Sequence, residues 1–182
     1  MEPTILIVPG LRDHVPEHWQ SLLEQRLRRV ACVPRRTADK LSCAGWVEDI
    51  ERSLTQLEGP VVLVAHSGGV LMVVHWAQKY RRPIRGALLA TPADLESPLP
   101  AGYPTTGQLR EGGWLPIPRA PLPFPSIVAA STNDPLADYD RVAGFAQDWG
   151  SRLVNLGDVG HLNPAAGYGP WPRAEELIRE LC

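Results

Sequence analysis

The stretch Val61 to Val74 narrows what this chain can become more than any other: Val-Val-Leu-Val-Ala-His-Ser-Gly-Gly-Val-Leu-Met-Val-Val. Val61 to Ala65 is an apolar run of the kind found in strands covered on both faces, and the run from Val70 predicts a buried helix. The reversal between them has to be made from His66 to Gly69. So tight a strand-to-helix turn leaves no room for side chains two positions either side of its apex. Ala65 and Gly69 stand at those distances from Ser67, and no other serine of the chain has small residues at both. This is the pattern of a nucleophile elbow, usually written G-x-S-x-G, with alanine replacing the first glycine. The plainer reading makes Ser67 an N-cap, with Gly68 and Gly69 easing the turn. The stretch alone does not separate the two.

The flanking chain supplies a context. Thr4 to Val8 reads as a strand broken by Pro9-Gly10, and Pro16 to Val30 as a helix with Trp19, Leu22, Leu23, Leu27 and Val30 on one face, Pro16 suiting its first position. Ala31 to Val33 is a short strand candidate. Ser42 to Leu57 forms the next helix, with Trp46, Val47, Ile50 and Leu54 spaced for burial. After the elbow and its helix to Tyr80, Ile84 to Ala90 is another strand. Strands and helices alternate, which predicts right-handed crossovers and a parallel sheet. The alternation lapses over residues 92–125, where nine prolines fall and no helical or strand period survives. Trp114, Leu115, Ile117 and Phe124 favour an ordered cover there rather than a disordered insert. Regularity returns with a strand at Ser126 to Ala130, a helix at Asp138 to Trp149, a strand at Leu153 to Leu156 and a helix at Arg173 to Leu181. At 182 residues, one domain is expected.

In open parallel sheets the functional loops gather at the carboxyl ends of the strands. That rule filters the candidates for partners of Ser67. His161, in the loop after the last strand, is the best base; His66 cannot bend back onto its neighbour, and His75 lies on the elbow helix. Among the acids, Asp134 follows the strand that ends near Ser131. Asp94, after the preceding strand, is the reserve, and Asp158 reads as a turn residue. The order Ser67, Asp134, His161 is the serine, acid, histidine order of α/β-hydrolases. An oxyanion hole needs two donors, and the backbone N–H groups of Gly68 and Leu11 are the candidates. Arg12, Trp114, Leu136 and Trp171 are candidate pocket walls.

Other classes are disfavoured. With 18 basic and 20 acidic residues and no basic run, the charge offers no footprint for nucleic acid or an anionic membrane. Three cysteines without C-x-x-C spacing argue against a disulfide framework or zinc knuckle and for a reducing compartment. The start, Met-Glu-Pro, has neither the charge nor the apolar length of a signal peptide, and a cytoplasmic protein is expected. His14-Val-Pro-Glu-His18 matches the H-x-x-E-H zinc pattern, but Pro16 interrupts the continuous helix that pattern needs. No metal and no cofactor are expected.

Several segments together resemble a known family: Pro9-Gly10-Leu11 with Pro16-Glu-His-Trp-Gln20, His66-Ser-Gly-Gly69, Leu122-Pro-Phe-Pro-Ser126, Ser131-Thr-Asn-Asp-Pro135, Trp149-Gly-Ser151, and Gly160-His-Leu-Asn163 through Gly167-Tyr-Gly-Pro-Trp-Pro172. They are similar to the small serine hydrolases of the retinoblastoma-binding-protein-like α/β-hydrolase family. The resemblance implies a three-layer α/β-hydrolase fold, a compact mostly parallel sheet with helices on both faces, and carries the triad onto Ser67, Asp134 and His161. Members commonly have leucine after the serine, where this chain has Gly68. The family's L-x-C-x-E partner motif loses its glutamate in Leu41-Ser-Cys-Ala-Gly45, so a retinoblastoma-type partner is not expected. The expected activity is hydrolysis of a small-molecule ester or related acyl compound. The competing expectation is a non-catalytic binding module that retains the fold and presents residues 92–125 to a partner.

Overall fold

The computed structural model describes residues 2–12 and 15–182. Six parallel strands form one sheet: β1 (Thr4–Val8), β2 (Val30–Cys32), β3 (Val61–His66), β4 (Gly86–Ala90), β5 (Ser126–Ala130) and β6 (Arg152–Asn155), in the order β2-β1-β3-β4-β5-β6. The chain runs outward to β2, crosses back over β1 and then proceeds to the far edge. The crossover places the end of β1 beside the end of β3, with Val8 opposite Ala65. Such a reversal of strand order opens a crevice at the carboxyl edge.

Burial explains the apolar runs. In β3, Val61, Leu63 and Ala65 face one core and Val62 and Val64 the other, the period-two alternation of a strand with both faces covered. One core receives α2 (Cys43–Thr55), α3 (Gly68–Lys79) and α5 (Tyr139–Trp149); the other receives α1 (Trp19–Arg26) and α6 (Arg173–Arg179). The result is three layers.

Residues 92–125 hold more regularity than their composition predicts. Thr105 and Gln108 form a reciprocal capping box that starts a short helix, α4 (Thr106–Glu111). Beyond it, Trp114 is fully buried and its indole donates to the Leu41 carbonyl, while Trp149 donates to Pro118. Arg141 grips Asp94 through two nitrogens and also reaches Glu96; Arg119 spans Glu96 and Asp148. These contacts tie the segment to Leu41 and α5, and Trp114 and Phe124 then pack against His75 and Trp76 of α3, which is buried on nearly all sides rather than amphipathic.

Some element limits differ from the sequence pattern. The first helix starts at Trp19, not Pro16, because the His18 ring takes the N-cap and its Nδ1 accepts the Gln20 N–H at 3.1 Å. It ends at Arg26, and Val30 joins the sheet opposite Ile5. The fourth strand begins at Gly86 rather than Ile84, and the sixth is shifted one residue earlier than the pattern suggests.

Two consequences can be measured. A Cβ on Gly69 would stand 2.5 Å from the carbonyl oxygens of both Val8 and Pro9, main-chain atoms that cannot swing aside. Gly69→Ala should therefore cost about 3 kcal/mol, lowering Tm by about 6–12 °C for a chain of this size in thermal denaturation. His18 is buried and its pKa is lowered to about 4, by desolvation first and by the nearby His161 second. The unfolded chain then binds a proton that the folded chain refuses, so stability is full above about pH 6.5 and falls as the pH drops toward 4. His18→Asn keeps a cap oxygen near the Nδ1 position and removes the titration. Its Tm should fall less than that of the native protein between pH 6.5 and 4; an equal fall would refute this role.

Candidate active site

Each element delivers one group to the carboxyl edge. Ser67 follows β3 with φ 56° and ψ −124°, a conformation a non-glycine residue adopts only under constraint, at roughly 1–3 kcal/mol. The constraint is the tight fit of Gly69 against the end of β1. Although Ser67 occupies the N-cap position of α3, its side chain makes no capping hydrogen bond. Its hydroxyl is committed elsewhere: Oγ lies 2.7 Å from His161 Nε2.

His161 lies beyond β6 in a loop bent by left-handed residues on both sides, Gly160 at φ 57° and Leu162 at φ 49°. Its Nδ1 is 2.9 Å from both oxygens of Asp134, which lies beyond β5. The carboxylate can only accept, so the proton sits on Nδ1 and Nε2 is left to accept from the Ser67 hydroxyl. Asp134 Oδ1 also accepts the Leu136 N–H at 2.9 Å, so it makes the turn before Pro135 and orients the imidazole at once. The acid and histidine loops are braced to each other. Asn133 Oδ1 accepts the Gly160 N–H at 2.6 Å and the Ser131 hydroxyl at 3.0 Å, and the Thr132 N–H donates to Gly157.

The two oxyanion candidates also converge. Gly68 and Leu11 meet at the elbow, the Leu11 nitrogen lying 3.5 Å from where a Cβ on Gly68 would stand. Neither N–H donates to a backbone carbonyl among the described residues. A Cβ on Gly10 would be in ordinary contact, 3.5 Å from Ser67 Cβ, so Gly10 is not demanded by space.

A cavity of about 420 Å³ opens over Ser67, walled by Leu11, Val15, Leu41, Leu95, Leu99 and Leu136. Arg12 lies at its edge with the guanidinium 4.6 Å from the centre of the Tyr103 ring. Two predicted walls are elsewhere. Trp114 lies in the core between α3 and Leu41, because its indole N–H finds the Leu41 carbonyl there. Trp171 packs edge-on against Trp19 at 4.9 Å and belongs to the opposite core. The reserve acid, Asp94, is held apart from His161 by its own partners: burial pushes its pKa up, but Arg141, Ser97 and the Glu96 N–H outweigh this and hold it below its ordinary value. His75 is satisfied by the Trp114 carbonyl, 39 residues on in the chain.

The sequence does not single out Asn133, Gln20 or Tyr103, or Leu41, Leu95 and Leu99 among the walls. Gln20 fastens the ends of β1 and β3 by donating to the Val8 and Val64 carbonyls. Its signal was a polar residue among the buried positions of a helix, adjoining Trp19. Of the zinc-like motif, His14 lies outside the described residues, and residues 16–18 precede the helix that the pattern requires. Among the described residues no group of three or more His, Cys, Asp or Glu side chains could hold a metal ion, and no helix is long and apolar enough to cross a membrane.

Comparison with known proteins gives this geometry a family. No curated protein shows significant sequence similarity to the chain. Among solved structures, a YdeN-like hydrolase from Pectobacterium atrosepticum is 34% identical, with 99% of this chain and 92% of that chain covered and a TM-score of 0.81. The ydeN gene product of B. subtilis is 17% identical over 99% and 98% of the two chains, with a TM-score of 0.73. Est1E from Butyrivibrio proteoclasticus, 14% identical over 98% and 88%, has a TM-score of 0.69. The last two share the fold. The family model for serine hydrolases matches residues 5–180, and the chain belongs to the serine hydrolase family.

Proposed function

We propose that this hydrolase cleaves carboxylic esters or related acyl compounds through an acyl-enzyme on Ser67. The observation that carries the reading is the chain of contacts Ser67 Oγ to His161 Nε2 at 2.7 Å and His161 Nδ1 to Asp134 at 2.9 Å, at the floor of an apolar cavity. Ser67 Oγ attacks the acyl carbon as His161 Nε2 takes its proton; the oxyanion forms against the N–H groups of Leu11 and Gly68. His161 then protonates the departing alcohol, and water repeats the sequence to release the acid. Asp134 keeps the imidazole in the tautomer that can accept and stabilises its cation. The cavity walls favour a substrate with an apolar acyl or alcohol part and no charge buried beside the serine.

The sequence motifs shared with the retinoblastoma-binding-protein-like branch support that narrower membership. A retinoblastoma-type partner is not part of the proposal, since the glutamate is missing and Cys43 is buried at the start of α2. Three cysteines without paired spacing support a reducing, cytoplasmic setting.

A fluorophosphonate probe should label the native protein on Ser67 and leave Ser67→Ala unlabelled. An unlabelled but folded native protein would favour the binding-module reading. With p-nitrophenyl esters of graded acyl length, His161→Ala should lower kcat/KM by about 10³-fold or more. Asp134→Asn should lose about 10²- to 10⁴-fold, whereas Asp94→Asn should reduce Tm and leave the rate within a few-fold. The reverse ranking of the two acids would reject Asp134.

A further inference from the structure

His66 stands beside the nucleophile yet takes no part in the proton transfers above. Its imidazole is 5% exposed and stacks at a tilt between two others, with ring centres 4.5 Å from His18 and 4.9 Å from His161. Trp19 closes a third side edge-on at 6.0 Å. The ring so held points Nε2 at the main-chain carbonyl of His161, 2.8 Å away, 95 residues on in the chain. A carbonyl can only accept, so the proton is on Nε2. The other side chain near that oxygen, Thr91 Oγ1, is at 3.5 Å, at the limit of a hydrogen bond.

The carbonyl belongs to a turn closed by the Leu162 N–H on the Val159 carbonyl at 3.1 Å and braced at the Gly160 N–H by Asn133, and neither of those bonds engages the His161 carbonyl. Gly160 and Leu162, either side of His161, are both left-handed, and Leu162 carries a side chain that disfavours that region. The Asp134 and Ser67 contacts fix the imidazole from its tip; they do not fix the main chain from which it hangs. We propose that His66 is a positioning residue, whose Nε2–H anchors the His161 carbonyl and so sets the imidazole at hydrogen-bonding distance from the serine bonded to His66 itself. Nucleophile and base are thereby joined by one peptide bond and one hydrogen bond. Desolvation, then the neighbouring His161 and His18, hold the His66 pKa well below its ordinary value against the opposing effect of its own hydrogen bond. It stays neutral, and no second cation meets the imidazolium formed on His161.

The inference rests on the hydrolase reading, and two amide substitutions test it separately. In His66→Gln the amide nitrogen reaches close to the Nε2 position; in His66→Asn it stops near Nδ1, too short for the carbonyl. With the best p-nitrophenyl ester, His66→Asn should lower kcat about 10- to 100-fold with KM unchanged within about threefold, as a misplacement on the scale of 1 Å does. His66→Gln should recover most of that loss at a similar Tm. Native kcat in His66→Asn, or equal losses in the two folded variants, would overturn the proposal. Should neither variant fold, imidazole nitrogen NMR on the native protein decides: a protected Nε2–H tautomer of His66 at pH 7 supports it, and an Nδ1–H tautomer or a cation overturns it. A native protein that neither turns over esters nor takes the fluorophosphonate label would instead overturn the hydrolase reading.

Discussion

The close approach of Gly69 to the end of β1 is the contact on which the active edge depends. With no side chain at that position, the first turn of α3 can settle against the carbonyls of Val8 and Pro9. Two things follow from that single approach. The preceding residue but one, Ser67, is forced into its left-handed conformation with its hydroxyl above the sheet. The N–H of Gly68, at the positive end of a buried helix, is brought to the loop that carries Leu11. The reversal of strand order between β1 and β3 then opens the crevice over both groups. Removing water from such a site strengthens every dipole aimed at a developing oxyanion.

The remaining groups reach the same place by short routes from adjoining strands. Asp134 and His161 each lie a few residues beyond a strand end, so neither relies on a long loop for its position. Asn133 welds their two loops through the Gly160 N–H, and the imidazole is held at both nitrogens. The polar network around residues 94–97, 119, 141 and 148 fixes the first part of the proline-rich segment as one wall of the cavity. Most of these ion pairs are partly solvated, and their contribution lies in orientation more than in stability.

How far the sequence could be read depended on the range of the interaction concerned. The parallel sheet, the elbow and the strand-end acid and histidine were legible because each leaves a local mark: an apolar run, a small residue at a fixed spacing, a polar residue just past a strand. The start of α1 was misread because Pro16 is a good first helical residue in isolation, while the cap is made by the His18 ring, an infrequent choice. The candidate pocket walls divide for a different reason, Arg12 and Leu136 lining the cavity and the two indoles lying outside it. Leu136 follows directly from Asp134 and travels with it, but where an indole in residues 92–125 lies is decided by the Leu41 carbonyl, 73 residues away. No local pattern encodes that pairing. The lapse of periodicity there concealed α4 because its start is fixed by side chains at Thr105 and Gln108 rather than by an apolar stripe.

The meeting of Leu11 with Gly68 has a consequence for how this site can change. A Cβ added at residue 68 would lie 3.0 Å from Leu11 Cγ, so the two positions, one at the start of α3 and one on the loop after β1, share one small volume. Each of the two also supplies a main-chain donor in the proposed chemistry. Enlarging residue 68 alone displaces the side chain of residue 11 and, with it, the backbone amide meant for the oxyanion. Enlarging 68 while shrinking 11 leaves the amide in place and moves the apolar wall instead. Substitutions at these two positions are therefore epistatic: the tolerated routes to a different acyl cavity pass through pairs, and a screen of single substitutions would miss them.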